Sequence, residues 1–236
     1  MRRLLAVLTI GTLALSGCSD NKGNPGPTQP QDPVALLAAA KKAVDEATSV
    51  HVVLDGRDIP PTAKALSKGD GVVTHAPAFT GSLTVSNKGS LIDAEAVSIG
   101  GKVYVKPAFL TNFVLFTPKQ LADLGAPDPA IFIDPAKGIQ SWLPTLKNPA
   151  IKGESRLGTV LVTEVTGTVT GAGLAGLFPK ASATQEFPST FKIDKDTKRL
   201  VAATIAGPFY AGATTTYDIT LDKYGEQITI TKPPTS

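Results

Sequence analysis

Two hydrophobic periods alternate along this chain. In DPVALLAAAKKAVDEATS, residues 32–49, Leu37, Ala40, Val44 and Ala47 fall near helical spacing, while Lys41, Lys42, Asp45 and Glu46 lie largely off that stripe. One apolar stripe at this period predicts a helix packed against something. Asp32 supplies the N-cap and Pro33 the first helical residue. The period then falls to two. In FTGSLTV, Phe79, Gly81, Leu83 and Val85 alternate with Thr80, Ser82 and Thr84, the pattern of a strand with one covered face. SNKGS turns it, LIDAEAVSI runs back, Gly100-Gly101 suits a two-residue hairpin turn, and KVYV follows. His51–Asp55 and Gly71–Thr74 are expected to join this antiparallel meander.

The middle of the chain reads as helical or irregular. TPKQLADLG has Thr117 as cap, Pro118 at the first helical position and Gly125 as stop. DPAKGIQSWLPTL offers Asp134 and Pro135 in the same roles, with Pro144 as an interruption. Strands return with GTVLVTEVTGTVT, TFKID, LVAATIAG, TTTYDITLD and EQITIT. Between the first two, GAGLAGLFP fits a short helix through Leu174, Leu177 and Phe178, weakened by three glycines. Helices grouped on one face of an antiparallel sheet define an α+β domain. If the sheet curves strongly, with its helices on the concave side, it becomes an open barrel.

The first residues follow another rule. Arg2 and Arg3 precede LLAVLTIGTLAL, residues 4–15, which carries no charge and is too short for the roughly 20 residues of a membrane-spanning helix. Positive start, short apolar run and small residues make a secretory signal. Leu15-Ser16-Gly17-Cys18 resembles the bacterial lipobox, which implies cleavage before Cys18 and lipid on its sulfur; the alternative is an ordinary signal with an incidental cysteine. Cys18 is the single cysteine of the chain, so no internal disulfide is available to it. A diacylglyceryl thioether would supply the two acyl chains that stable anchoring needs. Residues 19–33, SDNKGNPGPTQPQDP, hold four prolines, two glycines and no large apolar side chain, the composition of a tether. The expected organisation is therefore a signal peptide at 1–17, a lipidated cysteine and tether at 18–33, and one domain at 34–236. Removing Arg2 and Arg3 from the 23 basic residues leaves 21 against 20 acidic ones, too balanced for a nucleic-acid partner.

Catalytic chemistry has little to work with. Two histidines, His51 and His75, sit by a strand start and in an apparent turn, and neither GxSxG nor HExxH occurs. GAGLAG lacks the parallel βαβ setting of a dinucleotide fold. Asp93, Glu95, Glu154 and Glu164 are scattered; Asp93 and Glu95 share a strand face, either as an acid pair or as a solvated face. Lys137, Lys147, Lys152 and Arg156 form a loosely basic stretch that suits either an anionic headgroup or plain solvent. No enzyme activity, metal or cofactor is expected.

DPAKGIQSWLPTLKNPAIKGESRLGTVLVTEVTGTVTG resembles the motif of the LppX/LprAFG family of actinobacterial envelope lipoproteins. The matching residues are Asp134-Pro135, Gly138-Ile139, Trp142 and Leu143, Gly153-Glu154, and Val165-Thr166-Gly167-Thr168-Val169. IDAEAVSIGGKVYV and TYDITLDKYGEQITITKPP match as well, so the resemblance spans nearly the whole domain. GAGLAGLFP is richer in glycine, and FLTNFVLFTPKQLADLG in aromatic residues, than the family pattern; both departures bear on the pocket wall. The resemblance implies a strongly curved antiparallel half-barrel with helices on its concave face, similar to the outer-membrane lipoprotein carriers of Gram-negative bacteria. It implies an apolar cavity that binds multi-acylated lipids or glycolipids and moves or presents them in the envelope. The implied protein is a monomer, palmitate-bearing and lipid-anchored on the outer side of the cell membrane, also shed, and served by a lipid export transporter.

The alternation itself puts small residues on the inward face: Gly81, Ala94, Ala96, Gly167 and Ala202. They leave room for a ligand or allow helices to pack closely; a solid-core structural or signalling lipoprotein with a protein partner is the competing possibility. The candidate cavity wall comprises Leu83, Val85, Ala94, Ala96, Val103 and Val105 from the first strands. Phe109, Phe113, Phe116 and Leu121 join it from FLTNFVLF and the helix after it. Trp142, Leu143, Val165, Val169, Leu174, Phe178 and Phe191 complete it. The anchor generates the first prediction: Cys18→Ala should move the protein from membranes into the soluble fraction, read by fractionation and immunoblot. Undiminished membrane association would refute the lipobox assignment.

Overall fold

The computed structural model describes residues 31–235, so the expected signal, Cys18 and all but the end of the expected tether lie outside the described residues. Gln31–Ser236 clusters into one compact unit. It opens with α1, Pro33–Asp45, whose N-cap Asp32 accepts a hydrogen bond from the Val34 amide. Pro33, the last residue of the expected tether, is the first helical residue, as the capping pattern expected. The stripe of α1 buries Leu36, Leu37, Ala40 and Val44, while Lys41 pairs with Asp45 one turn on, at 2.5 Å.

Eleven antiparallel strands follow in one sheet. They are β1 (Ser49–Arg57), β2 (Lys64–Thr74), β3 (Ala78–Asn87), β4 (Ser90–Ile99), β5 (Lys102–Pro107) and β6 (Val114–Phe116), then β7 (Lys147–Leu157), β8 (Val160–Thr170), β9 (Glu186–Asp194), β10 (Leu200–Tyr210) and β11 (Ala213–Asp222). Their order is β6-β5-β4-β3-β2-β1-β11-β10-β9-β8-β7. Two meanders thus meet where β1 pairs with β11, with Leu54 opposite Ile219, and the sheet stays open between β6 and β7. Between those edges the chain makes α2 (Pro118–Asp123) and three 3-10 turns, Pro129–Ile131, Ile139–Ser141 and Leu143–Thr145. The first turn contacts β2, β3 and β4, and the last two contact α1. Helices and turns therefore share the inner face, and α3 (Gly171–Leu174) links β8 to β9.

Three expectations are corrected. DPAKGIQSWLPTL forms no α-helix. The Asp134 carboxylate caps the Ala136 and Lys137 amides as expected, but Gly138 sits so close to the backbone of Phe132 and Asp134 that a Cβ would collide with it. What remains makes two 3-10 turns that meet at Trp142, and Pro144, inside the second, has no N–H with which to continue an α-helix. The basic stretch from Lys147 to Arg156 is strand β7, an edge strand with two register shifts; glycine, proline and charge along it hide the alternation. EQITIT forms no strand and belongs to no ladder.

The β1–β11 junction and the β8–β10 half hold the dense core. The Phe178 ring lies tilted 4.4 Å from Tyr217, 5.0 Å from Phe209 and 6.0 Å from Trp142, and Phe187 lies 4.6 Å from Phe209. The Tyr217 hydroxyl donates to the Leu66 carbonyl across the sheet and lies 2.8 Å from the Tyr210 hydroxyl. Burial first, then the neighbouring Tyr210, pushes the Tyr217 phenol far above its ordinary pKa, so it stays a neutral donor. On β2 and β3, Gly71 faces Gly81, and the Phe79 ring lies over both, leaving no room for a Cβ at either.

The outer face is laced by charge. Arg57 pairs with Asp218 at 2.5 Å, Lys106 with Glu95 at 2.7 Å, and Lys195 with Glu154 at 2.7 Å. His51, on β1, lies between Asp222 at 2.6 Å and Asp70 at 2.8 Å. Burial alone would lower its pKa, but the two carboxylates outweigh it, and the value is raised above 6.5. The folded state thus holds the proton more tightly than the unfolded chain. The stabilisation is complete below the unfolded value and fades as pH rises through the folded one.

Two measurements test this picture. Gly81→Ala should cost about 1–3 kcal/mol in urea unfolding, because the added methyl collides with the β2 backbone at Asp70 and Gly71 as well as with the Phe79 ring; a loss below about 0.5 kcal/mol, an ordinary surface effect, would contradict it. Between about pH 6 and pH 8, where a histidine titrates, the unfolding midpoint of the wild type should fall and that of His51→Gln should fall less. A wild-type midpoint that climbs while the variant stays level would refute the linkage.

Candidate functional site

At the β3–β6 end the inner face is covered differently. Register sets Gly81 opposite Ala96, Leu83 opposite Ala94 and Val85 opposite Ile92. Ala94 in turn faces Pro107, and Ala96 faces Val105. Small side chains in the β4 row keep the floor low. Above it stands α2, started by a capping box in which the Thr117 hydroxyl accepts from the Gln120 amide and the Gln120 side chain accepts from the Thr117 amide. Six residues make one short rod with a single buried side chain, Leu121, too little to fill the space over four strands.

What remains is an apolar cleft of about 330 Å3. Its floor is Leu83, Val85, Ile92, Ala94, Val105 and Pro107; Phe109 and Phe116 close one side, and Leu121, Leu124 and Ala126 the other. Only Gln120 and Asp123 among the thirteen lining residues are polar. Asp123 lies 2.6 Å from the Lys119 ammonium. That hydrogen bond, aided by the charges of Lys119, Lys64 and Lys180, holds its carboxyl below the ordinary range. The site therefore offers one ionised carboxylate at the edge of an apolar trough, with no nucleophile–base pair beside it. Such a trough holds hydrocarbon and leaves polar groups in water. Among the described residues no cluster of His, Cys, Asp and Glu is arranged to hold a metal ion.

The sequence candidates separate into groups. Leu83, Val85, Ala94, Val105, Phe109, Phe116 and Leu121 come together in the cleft. Val103 lies one inward position along β5 and lines a neighbouring hollow. Ala96 is fully buried and belongs to the main core. Trp142, Leu143, Val165, Val169, Leu174, Phe178 and Phe191 also lie in that core, all but Phe178 at 1% exposure or less. Phe113 turns elsewhere: the Lys106 ammonium sits 5.5 Å over its ring, and its backbone bridges to Thr235. Cys18 lies outside the described residues. Outside the cleft, His75 is exposed in the turn after β2. Asp93 accepts from the Thr84 hydroxyl at 2.6 Å and Glu95 takes Lys106, so each has its own partner on the outer face.

Ile92, Pro107, Leu124 and Ala126 are cleft residues outside the sequence candidates, as are Gln120 and Asp123. Three were within reach of the pattern. Ile92 shares the parity of Ala94 and Ala96, and Pro107 that of Val103 and Val105. Leu124 lies three residues beyond Leu121, on the same side of the expected helix.

Comparison with known proteins agrees with this architecture. The crystal structure of LprF from Mycobacterium bovis superposes with a TM-score of 0.71 at 23% identity, covering 85% of this chain and 96% of that one. The lipoprotein LppX of Mycobacterium tuberculosis gives 0.63 at 19% identity, covering 84% and 98%; both show the same fold. In sequence, the chain is 26% identical over 238 residues to the lipoarabinomannan carrier protein LprG of Mycobacterium tuberculosis, covering 99% of this chain and 95% of the relative. It is 29% identical to the lipoprotein LprA of the same organism, covering 97% and 94%. The LppX_LprAFG lipoprotein model matches residues 32–230, and the chain belongs to that family.

Proposed function

We propose that this protein is a membrane-anchored lipid carrier that seats an acyl chain of a multi-acylated lipid or glycolipid in the β3–β6 cleft. The observation that carries the proposal is an open trough of 330 Å3 whose floor and walls are apolar, in a family with a relative named as a lipoarabinomannan carrier. Burial of each methylene there contributes about 0.8 kcal/mol. A wall of this kind discriminates weakly, about 1–3 kcal/mol per methylene, so recognition of a lipid class rests on the headgroup left at the mouth. The volume lies near the low end of the roughly 300–1,000 Å3 typical of ligand pockets. One chain fits the cleft as it stands, and a second calls for the inner face to open further. The anchor is the lipid on Cys18, on the outer side of the cell membrane; the described residues include no helix long and apolar enough to cross a membrane.

The test joins binding to stability. Protein made in an actinobacterial host should carry lipid in mass spectra of its extract, and the delipidated form should take up a fluorescent acyl probe that a multi-acylated glycolipid displaces. Leu83→Trp then discriminates between a lined space and a packed one. Leu83 lies at the rim between the cleft and the main core, so the indole has room on one side only. In a lipid site the variant should keep wild-type stability and lose probe binding. A loss of about 1–3 kcal/mol, the cost of overpacking, with probe binding unchanged would favour the solid-core lipoprotein that binds a protein partner.

A further inference from the structure

A second hollow, of about 210 Å3, lies on the far side of Leu121 from the cleft mouth, toward the Gly100-Gly101 turn of β5. Phe116, Leu121 and Ala126 line both spaces. Along β5, Pro107 and Val105 floor the cleft and Val103 floors the hollow. By alternation all three face inward, so the two spaces lie in line along one strand. From Val103 to Pro107 that strand advances about 13 Å. The far walls, which include Ile131, Gly176 and Pro179, are apolar, and the Asp128 carboxylate there is occupied in capping the Ala130 amide at 2.9 Å.

Only a narrow waist separates the two. Leu121 packs with Val103 and Val105, with Ala94 and Phe116 beside them, in a small cluster distinct from the main core. Moving its side chain leaves that core intact. The helix that carries it is fixed at both ends. Its start is held by the Thr117 capping box. After its end, Gly125 adopts φ +70° and lies against the Lys64 carbonyl with no room for a Cβ. Widening the waist therefore requires a turn of the Leu121 side chain, not a swing of α2.

We propose that the hollow receives the distal end of the acyl chain whose proximal part fills the cleft, and that Leu121 sets the chain length accepted. This deepens the lipid-site reading and rests on it. Chains that stop at the waist need the cleft alone; longer ones must displace Leu121. Each methylene kept out of the hollow lowers affinity about fourfold.

The experiment uses the compact Gln31–Ser236 unit, delipidated, with a series of fluorescent fatty acids from octanoyl to octadecanoyl. Because Leu121 lines both spaces, the readout is the ratio between lengths: Leu121→Trp should worsen octadecanoyl affinity relative to octanoyl more than about tenfold, the effect of excluding two methylenes. Leu121→Ala should do the reverse, steepening the gain with length. Because the two substitutions act in opposite directions, loss of fold in one leaves the other informative; thermal unfolding identifies which is intact. A fatty acid carrying a diazirine at its terminal carbon should label the hollow, at Ala122, Ile131 or Pro179, in the wild type and not in Leu121→Trp. Wild-type binding of every length with an unchanged length profile in both variants, or labelling confined to the cleft, overturns continuity while leaving the lipid site standing. A wild type that binds no probe overturns the lipid site and this inference together.

Discussion

An open sheet of eleven strands has an inner face far wider than one helix can cover. At about 4.8 Å per strand it spans close to 50 Å, while a helix with its side chains is about 10–12 Å across. The described residues supply one helix of 13 residues, two short ones and three 3-10 turns for the purpose. They are not spread evenly. The last two turns gather with α1, and Trp142 brings its indole to Phe178 within the ring cluster that includes Phe209 and Tyr217. That leaves Pro129–Ile131 and α2 for β2–β6. Uneven cover makes one half a packed core and the other a trough, and the trough is where function is proposed.

The residues that permit this are the smallest and the largest. Gly71 and Gly81 let the Phe79 ring lie flat against β2 and β3, and Gly207 receives Phe187 in the same way on the other half. A glycine beneath an aromatic ring keeps apolar area buried while bringing ring and backbone closer than any Cβ would allow, at the entropic cost glycine carries in a strand. On β4, Ala94 contributes a shallow surface to the cleft floor, while Ala96 is buried in the main core.

Much of this was legible in the sequence, and the failures have physical causes. Period-two alternation located the strands whose inward residues are apolar, including the β3–β4 pair, with Leu83, Val85, Ala94 and Ala96 on one face. It failed on β7, an edge strand whose register shifts break the alternation: Ile151 faces inward opposite Val165, but beyond the second shift Gly153 lies opposite Glu164 and Ser155 donates to that carboxylate. It also misjudged EQITIT, whose alternation is genuine but whose neighbouring strands already have both partners. Local capping chemistry identified α2 to the residue, since Thr117, Pro118 and Gln120 act within one turn. The division of the candidate wall between cleft and core was not legible. Val105 and Val165 look alike as inward valines, and which one meets a ligand space depends on whether α1 or α2 stands above it. That is decided by contacts distant in sequence.

The thin half must also keep its shape without being filled from inside, and the chain supplies a brace from outside. After β11 the Gly225 amide donates to the Ser49 carbonyl, and the Ser49 hydroxyl donates to the Glu226 carbonyl. The segment then runs to Thr235, which bridges to Phe113 just before β6. Ten residues can reach at most about 33 Å, enough for the roughly 24 Å from β1 to β6. On the way Lys232 lies over the Tyr104 ring, and Pro233 is buried. Tyr104 and its partner Val97 are 4% and 9% exposed although they point away from the core. Apolar residues on the outer side of β4 and β5 are thus covered by the strap and not by a second sheet. Their alternates, Val103, Val105 and Ala96, are left to line or underlie the spaces within. Holding the wall from behind lets the edge strands stay in register while the space in front of them remains open, which a wall braced by filling its concave side could not do.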